Sequence, residues 1–461
     1  MTTAAVTPHR TQDEPPDGPR LLALALRPFA QVEPREAVSA LVLMLTVFLL
    51  LMAYYFLKTA REPLILLSGG AEVKSYAAAG QAMLLLLVVP AYSALARRVG
   101  RMKLIAGIYG FFAANLVVFA LFASSGSIVL GVGFYLWVGV FNVTAIAQFW
   151  TFANDVYTPE QGKRLFALLG IGSSVGAVAG AWIAKQLAPL GPRAMMLGAA
   201  IVLVVCIVMF ALTDRREHAR AAAEGDDAGA RPKAKAPDKP VIEGPVLSVL
   251  LRDKYVLLIA GLIFLLNCVN TNGEYVLDRT LLAAVGHRGG DPTAFVGAFK
   301  GEYFFWVNIA GVVLQMFVVS RVLTIIGVRG ALLILPLVAF ASYSVILAMP
   351  ILSLIRVGKI AENSLDYSVQ NTARQALWLV GSRVEKYVGK TVVDTFIVRL
   401  GDVFSAGIIW VASQIALPVS AFAGLNLFFI ACWLLVVMAL GREHRRRSAL
   451  LAQQPGAEIQ A

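Results

Sequence analysis

The chain reads as an all-α membrane protein of twelve transmembrane helices in two pseudo-symmetric six-helix halves, and three observations predict that class. Apolar residues make up 58% of the 461 residues and charged ones only 15%, well under the quarter or so of a soluble domain, and the mean hydropathy is +0.73. Twelve apolar stretches, each near the roughly 20 residues a helix needs to cross a bilayer, fall six and six around a charged interruption at 214–250. Residues also recur at a shift of 227 positions: Gly100 and Gly327, Gln148 and Gln375, Gly162-Lys163 and Gly389-Lys390, Gly180 and Gly407.

The stretches start at Ala37, Val73, Lys103, Ser127, Gly162 and Arg193, and resume at Asp253, Thr293, Val328, Ile351, Val388 and Ser420. Runs this long and continuously apolar suit helices, which close their backbone hydrogen bonds internally, and not the alternating strands of a membrane barrel. The expected division is a cytoplasmic tail at 1–36, a half at 37–213, a linker at 214–250, a second half at 251–441 and a tail at 442–461. The linker contains REHARAAAEGDDAGARPKAKAPDKP, too charged and too simple to bury a core. Residues 1–36, rich in Pro and charge, lack the apolar centre of a signal peptide.

Basic residues set the expected orientation. With the N-terminus inside, the inner segments carry Arg35, Arg97, Arg98, Arg101, Lys103, Lys163, Arg164, the linker cluster, Arg321, Arg329, Arg383, Lys386, Lys390 and the Arg445-Arg446-Arg447 run. The outer loops hold little beyond Lys74, Arg193 and Arg288. Both termini are therefore expected on the cytoplasmic face of a bacterial inner membrane. The same asymmetry accounts for the net charge of +12. Because these residues are spread over many short loops and not gathered on one face, nucleic acid is not an expected partner.

Other chemistry is set aside by residue placement. Cys206, Cys268 and Cys432 lie inside apolar helices, where they act as small hydrophobes, and His9, His218, His287 and His444 lie in tails or loops. Gly389-Lys390-Thr391 ends like a phosphate-binding loop, but the Gly required five positions earlier is Val384 and no strand precedes it. No enzymatic activity, metal or cofactor is expected. The Gly172, Gly176, Gly180 spacing is the small-residue pattern that lets membrane helices pack closely.

A charge at the bilayer centre costs several kcal/mol, so each intramembrane charge is a candidate site residue. The first helix carries Lys58 and Arg61-Glu62. The seventh carries Glu274, Asp278 and Arg279, with 274 and 278 on one face. The eighth carries Lys300 and Glu302; the tenth Lys359, Glu362, Asp366 and Arg374; the eleventh Asp394, Arg399 and Asp402. Parallel six-helix repeats place a substrate between the halves near the midplane, exposed alternately to the two sides by rocking. On that frame the substrate-binding candidates are Lys58, Arg61, Glu274, Lys300, Arg374 and Arg399. Asp278, Glu302, Glu362, Asp366 and Asp402 are the coupling or gating candidates. Lys163, Arg164 and Lys390, at helix starts on the inner side, are candidates for an anion funnel or are simply part of the inside charge. Lys185 is expected at the interface.

The turn Leu95-Ala96-Arg97-Arg98-Val99-Gly100-Arg101-Met102-Lys103 resembles the short basic loop of major facilitator transporters, with Arg97 in place of the usual acid. Arg98 and Arg101 are its gating candidates; a plain inside-positive loop is the alternative. FWTFANDVYTPEQGKRLFALLGIGSSVGAVAG at 149–180, with YYFLKTAREPLIL at 54–66 and LWLVGSRVEKYVGKTVVDTFIVRLGD at 377–402, resembles the ATP/ADP translocase family of nucleotide exchangers. The likeness spans about Ala37 to Gly441 and is nearest the free-living bacterial branch. It implies a monomeric secondary transporter, within the major facilitator fold, that exchanges nucleotides or related phosphorylated or anionic metabolites. It places Arg61 where the family has a functional cation on the first helix, and Glu274 where it has a functional acid on the seventh. The alternatives are snorkelling of Arg61 to headgroups and a structural pair of Glu274 with Arg279 or a neighbouring Lys. Two departures stand out. The fourth-helix stretch Trp137–Asn142 lacks the family's acid, and Asp402 follows Arg399 where the translocases tend to have a cation. The rival reading is a proton-coupled facilitator, symporter or exporter, of an unrelated small solute. A receptor or membrane enzyme is less expected, because no large soluble domain is present.

Overall fold

The computed structural model describes residues 30–223, 253–287, 289–382 and 384–452, with Leu24 and Leu26. Most of the expected N-terminal tail, the linker from 224, Arg288, Arg383 and the tail beyond 452 lie outside the described residues. Among these residues twelve helical legs and no strand are found. The first two, α1 (37–69) and α2 (71–96), are the arms of Ala37–Ala96, parted at Gly70. α3 is Arg101–Phe122, α4 Ile128–Val156, α5 Pro159–Leu187 and α6 Gly191–Ala223. In the second half, α7 is Lys254–Gly286, α8 spans 292–326 with a bend at Val318, and α9 spans 328–348. α10 spans 352–380, α11 385–414, and α12 is Val419–Ala452.

Three of the hairpins share one backbone device. Gly70, Gly191 and Gly327 have φ of 80°, 78° and 68° with ψ of 178°, 176° and 179°. A Cβ is excluded from that region, so glycine alone reverses the chain there without a loop. Elsewhere side chains start the legs. Thr158 and Gln161 exchange side-chain and backbone hydrogen bonds ahead of α5, and Asp253 and Asp291 accept the first free N–H groups of α7 and α8.

Among the described residues, eight helical segments are long and apolar enough to cross a membrane. Two of them, Ala37–Ala96 and Glu160–Ala219, hold two legs each, so together they account for ten. The remaining legs are α8, with Lys300 and Glu302, and α10, whose regular helix is interrupted. Two expected boundaries shift. α6 runs to Ala223, past the expected linker start at 214, and α12 runs past 441 to Ala452. Ala, Arg and Glu dominate those extensions, and these are strong helix formers once water solvates the charges.

The buried apolar residues form two clusters, one centred on α1–α6 and one centred on α7–α12. On α5 the glycine stripe meets α1 backbone to backbone. A Cβ on Gly172 or Gly180 would stand 2.7 Å from the Met44 oxygen or the Met52 Cα, and one on Gly176 would overlap Phe48. The expected packing role of this stripe is what the structure displays.

Candidate functional site

A cavity of about 230 Å³ lies between the halves. Its first-half wall comes from α1 (Tyr55, Lys58, Arg61, Glu62), α2 (Lys74, Gln81) and α4 (Tyr135). Its second-half wall comes from α7 (Asn270, Glu274, Asp278), α8 (Phe304), α10 (Asn363, Tyr367) and α11 (Arg399, Asp402).

At the end of the cavity nearest the Gly70 hairpin, four charges alternate in a ring. Lys74 Nζ stands 2.5 Å from Glu62 Oε2 and 2.6 Å from Asp278 Oδ2, and Lys300 Nζ stands 2.5 Å from Asp278 Oδ1 and 3.6 Å from Glu62 Oε2. None of the four is more than 8% exposed. Each half contributes one acid and one base. Such charges survive burial only through mutual pairing, because removing one partner strands the others in low dielectric. Nearby, Glu72 of α2 accepts the Tyr275 hydroxyl at 2.7 Å, and Asn308 of α8 accepts that of Tyr55 at 2.8 Å.

Glu274 accepts hydrogen bonds from Tyr303 (2.8 Å) and Asn363 (3.0 Å) and lies 3.8 Å from Lys300 and 3.9 Å from Lys359. Its neighbours are lysines and not Arg279, which donates to the Leu417 carbonyl at 2.6 Å. Arg61 does not snorkel. Its Nε is 3.2 Å from Glu62, and its guanidinium lies 4.4 Å from the centre of the Tyr135 ring. Lys58 differs from every other cation on this wall. Its ammonium rests over Phe304 (4.3 Å) and Tyr55 (5.3 Å), with no carboxylate in ion-pair range among the described residues. Across the cavity, Arg399 lies 3.5 Å from Asp402, which also accepts from Asn267 (2.8 Å) and Thr271 (3.2 Å).

Other candidates fall elsewhere. Glu302 bridges Lys185 (3.1 Å) and Arg356 (2.7 Å) outside this cavity, so Lys185 joins the two halves. Glu362 and Asp366 line a smaller void inside the second half. Arg374 donates to Asn371 on its own helix at 3.3 Å. Arg101 bonds Asp214 and lies 3.9 Å from Asp155, tying α3 to α6 and α4, while Arg98 is exposed. The three funnel candidates do not line the cavity: Lys163 is exposed, Lys390 is half-buried, and Arg164 is held by Glu33 and Glu36 at 3.2 Å each.

Sequence reasoning missed Lys74, which was placed in an outer loop. The tight reversal at Gly70 starts α2 at once and carries Lys74 into the bundle; Gly69-Gly70 was the available signal. Tyr303, Asn363, Tyr55 and Tyr135 were missed because an uncharged polar side chain in an apolar run carries no such flag.

A two-fold set of six legs enclosing a charged central cavity is the architecture of a membrane transporter, and the model of the Major Facilitator Superfamily matches residues 37–361. The chain belongs to that superfamily and is a multi-pass membrane protein. Among curated proteins it is similar to ADP,ATP carrier protein 1 of Chlamydia pneumoniae, 23% identical over 364 residues that cover 69% of this chain and 68% of the relative. It is also similar to ADP,ATP carrier protein 1 of Chlamydia trachomatis serovar D, 23% identical over 358 residues covering 68% and 65%. The fold resembles that of a bacterial homologue of the iron transporter ferroportin in an inward-facing state, with TM-score 0.60 and 13% identity over 87% of this chain and 98% of that one. It also resembles that of the nucleoside transporter NupG, with TM-score 0.55 and 12% identity over 87% and 99%.

Proposed function

We propose that this protein is a secondary active transporter of a bacterial inner membrane, with cytoplasmic termini, that exchanges nucleotides or related phosphorylated anions by alternating access. One observation carries the reading: Lys58 offers the central cavity a positive charge with no carboxylate of the described residues in ion-pair range, one helical turn from Arg61. A guanidinium matches two phosphate oxygens at once, and an ammonium adds a point charge. Tyr55, Tyr135, Phe304 and Tyr367 supply aromatic surface for a base. The likeness to carriers named for ADP and ATP points the same way. Alternating access is supported by the four-charge ring. When the halves part, Glu62 keeps Lys74 and Asp278 keeps Lys300, so each half leaves as a neutral pair and the ring opens without stranding a charge.

The substrate need not be ATP or ADP itself. α4 brings no acid to the cavity, and Asp402 partly neutralises Arg399, so a less charged phosphorylated metabolite fits the remaining cations. A proton-coupled facilitator is the second reading, favoured by the buried Glu362 and half-buried Asp366 away from the cavity. Counterflow separates the two. Proteoliposomes with equal ions and pH on both sides are loaded with ADP, ATP or nothing, and labelled ADP is added outside. Exchange requires internal nucleotide. Accumulation in empty vesicles driven by an imposed pH gradient overturns the exchange reading.

A further inference from the structure

We propose that the second half holds a site for one small monovalent cation of sodium size, beside the substrate cavity and wired to it. The inference deepens the transport reading and rests on it for its coupling arm, though not for the site itself. The site is a void of about 20 Å³ between α7, α9, α10 and α12, room for one water-sized body. Glu362 and Asp366, one helical turn apart on α10, both line it. Glu362 is 4% exposed. Its Oε2 lies 3.3 Å from the Lys359 ammonium and the Tyr343 hydroxyl faces the carboxylate while donating to the Val269 carbonyl at 3.5 Å, whereas its Oε1 is buried without a hydrogen bond of normal geometry, as is Oδ1 of Asp366. Among the fully buried side-chain atoms of the described residues on this wall, the Trp433 indole N–H is the one unpaired donor, against the two unpaired carboxylate oxygens.

The charge count agrees with the atom count. Lys359 pairs with Glu362 at 3.3 Å and also lies 3.9 Å from Glu274, whereas Asp366 has no cation in ion-pair range among the described residues and feels Arg374 only from further along α10. A proton would satisfy one oxygen and leave the space; a hard cation fills the space and takes both oxygens. Asp366 also opens a widened turn, Asp366–Gln370. Such turns release backbone carbonyls from their usual partners, and interrupted helices near the midplane are where transporters seat coupling ions. No group of three or more His, Cys, Asp or Glu suited to a polyvalent metal occurs among the described residues, which points to a singly charged occupant.

The wiring is short. Asn270 and Asn363 line both the void and the substrate cavity. Lys359 touches Asn270 Oδ1 at 2.9 Å and stands between Glu362 and Glu274. A cation seated between Glu362 and Asp366 releases Lys359 toward Glu274 and makes the cavity more attractive to an anion.

The test uses the purified full chain. Melting temperature is measured in NaCl, KCl and choline chloride at equal ionic strength, at each of several pH values, without substrate. A saturable rise specific to Na⁺ is expected, and Glu362→Gln and Asp366→Asn, compared with their own K⁺ baselines, are expected to lose it. Identical melting in the three salts overturns the site, and so does a dependence on pH with none on Na⁺, which assigns the pair to a proton. In proteoliposomes with equal Na⁺ on both sides, half-saturation for ADP is expected to fall about fivefold or more relative to choline; no change overturns the wiring. A Na⁺ shift in a protein that does not exchange ADP sinks the exchange reading and leaves the site standing. Exchange indifferent to Na⁺, with no melting shift, does the reverse.

Discussion

The fourth and tenth legs occupy matching places in the two halves and have opposite characters. At the shift of 227 positions, Val132, Tyr135 and Gly139 of α4 correspond to Lys359, Glu362 and Asp366 of α10. α4 is one continuous helix in which Gly139 yields its space to the Gln81 side chain. α10 carries three charges at the same three places and widens at Asp366–Gln370. Duplication preserved the path of the leg while its use diverged, one copy for close packing and the other for buried charge. The first half consequently places its charges on α1 and α2, and the cavity has two dissimilar walls.

That contrast is open to attack by substitution. The largest effect is expected at the charges. Arg61→Gln and Glu274→Gln should each abolish counterflow with normal membrane insertion, whereas Asn142→Leu on α4 should leave rates near wild type. Full activity in both charge variants, or loss in the α4 variant, would reverse the assignment of the walls. Next comes Lys300→Met, which leaves Glu62 and Asp278 sharing Lys74 alone. A loss of about 3–5 kcal/mol is expected, read as a fall in melting temperature and in monodisperse yield. Lys58→Gln is predicted to raise the half-saturation for ADP by about tenfold, equivalent to about 1.4 kcal/mol, with little change in melting. A smaller effect tests packing. Gly180→Ala forces a methyl onto Met52 of α1 and should cost about 1–3 kcal/mol, while its mate Gly407, with open space at its Cβ, should gain up to about 1 kcal/mol from Ala. Equal outcomes would show that the two halves pack alike. The least change is expected from Gln148→Leu, because both amide atoms are buried without partners and their removal is neutral or gains about 1 kcal/mol.

Much of this molecule was legible in the sequence, for a local reason. Each leg must be apolar along its own length and satisfy its own backbone, so hydropathy alone located the legs, and the recurrence of Gly100, Gln148, Gly162 and Gly180 located their duplication. Intramembrane charge singled out Lys58, Arg61, Glu274, Asp278, Arg399 and Asp402, which the structure brings around one cavity. The same rule swept in Glu302 and Arg374, which face elsewhere, and it passed over Lys74 because hydropathy averaging hides a helix that begins immediately after a reversal.

Composition and periodicity, then, determined the solvent, the number of legs and which side chains are too polar for lipid without a purpose. Tertiary structure alone decided which of those charges meet: that Lys74 stands between Glu62 and Asp278, that Lys58 lies on aromatic rings with no acid of the described residues beside it, and that Arg164 is already neutralised. The reason is geometric. Coulomb and hydrogen-bond energies fall off over a few ångströms, and the separation of two groups more than 200 residues apart depends on how helices cross, which is not encoded in either segment by itself.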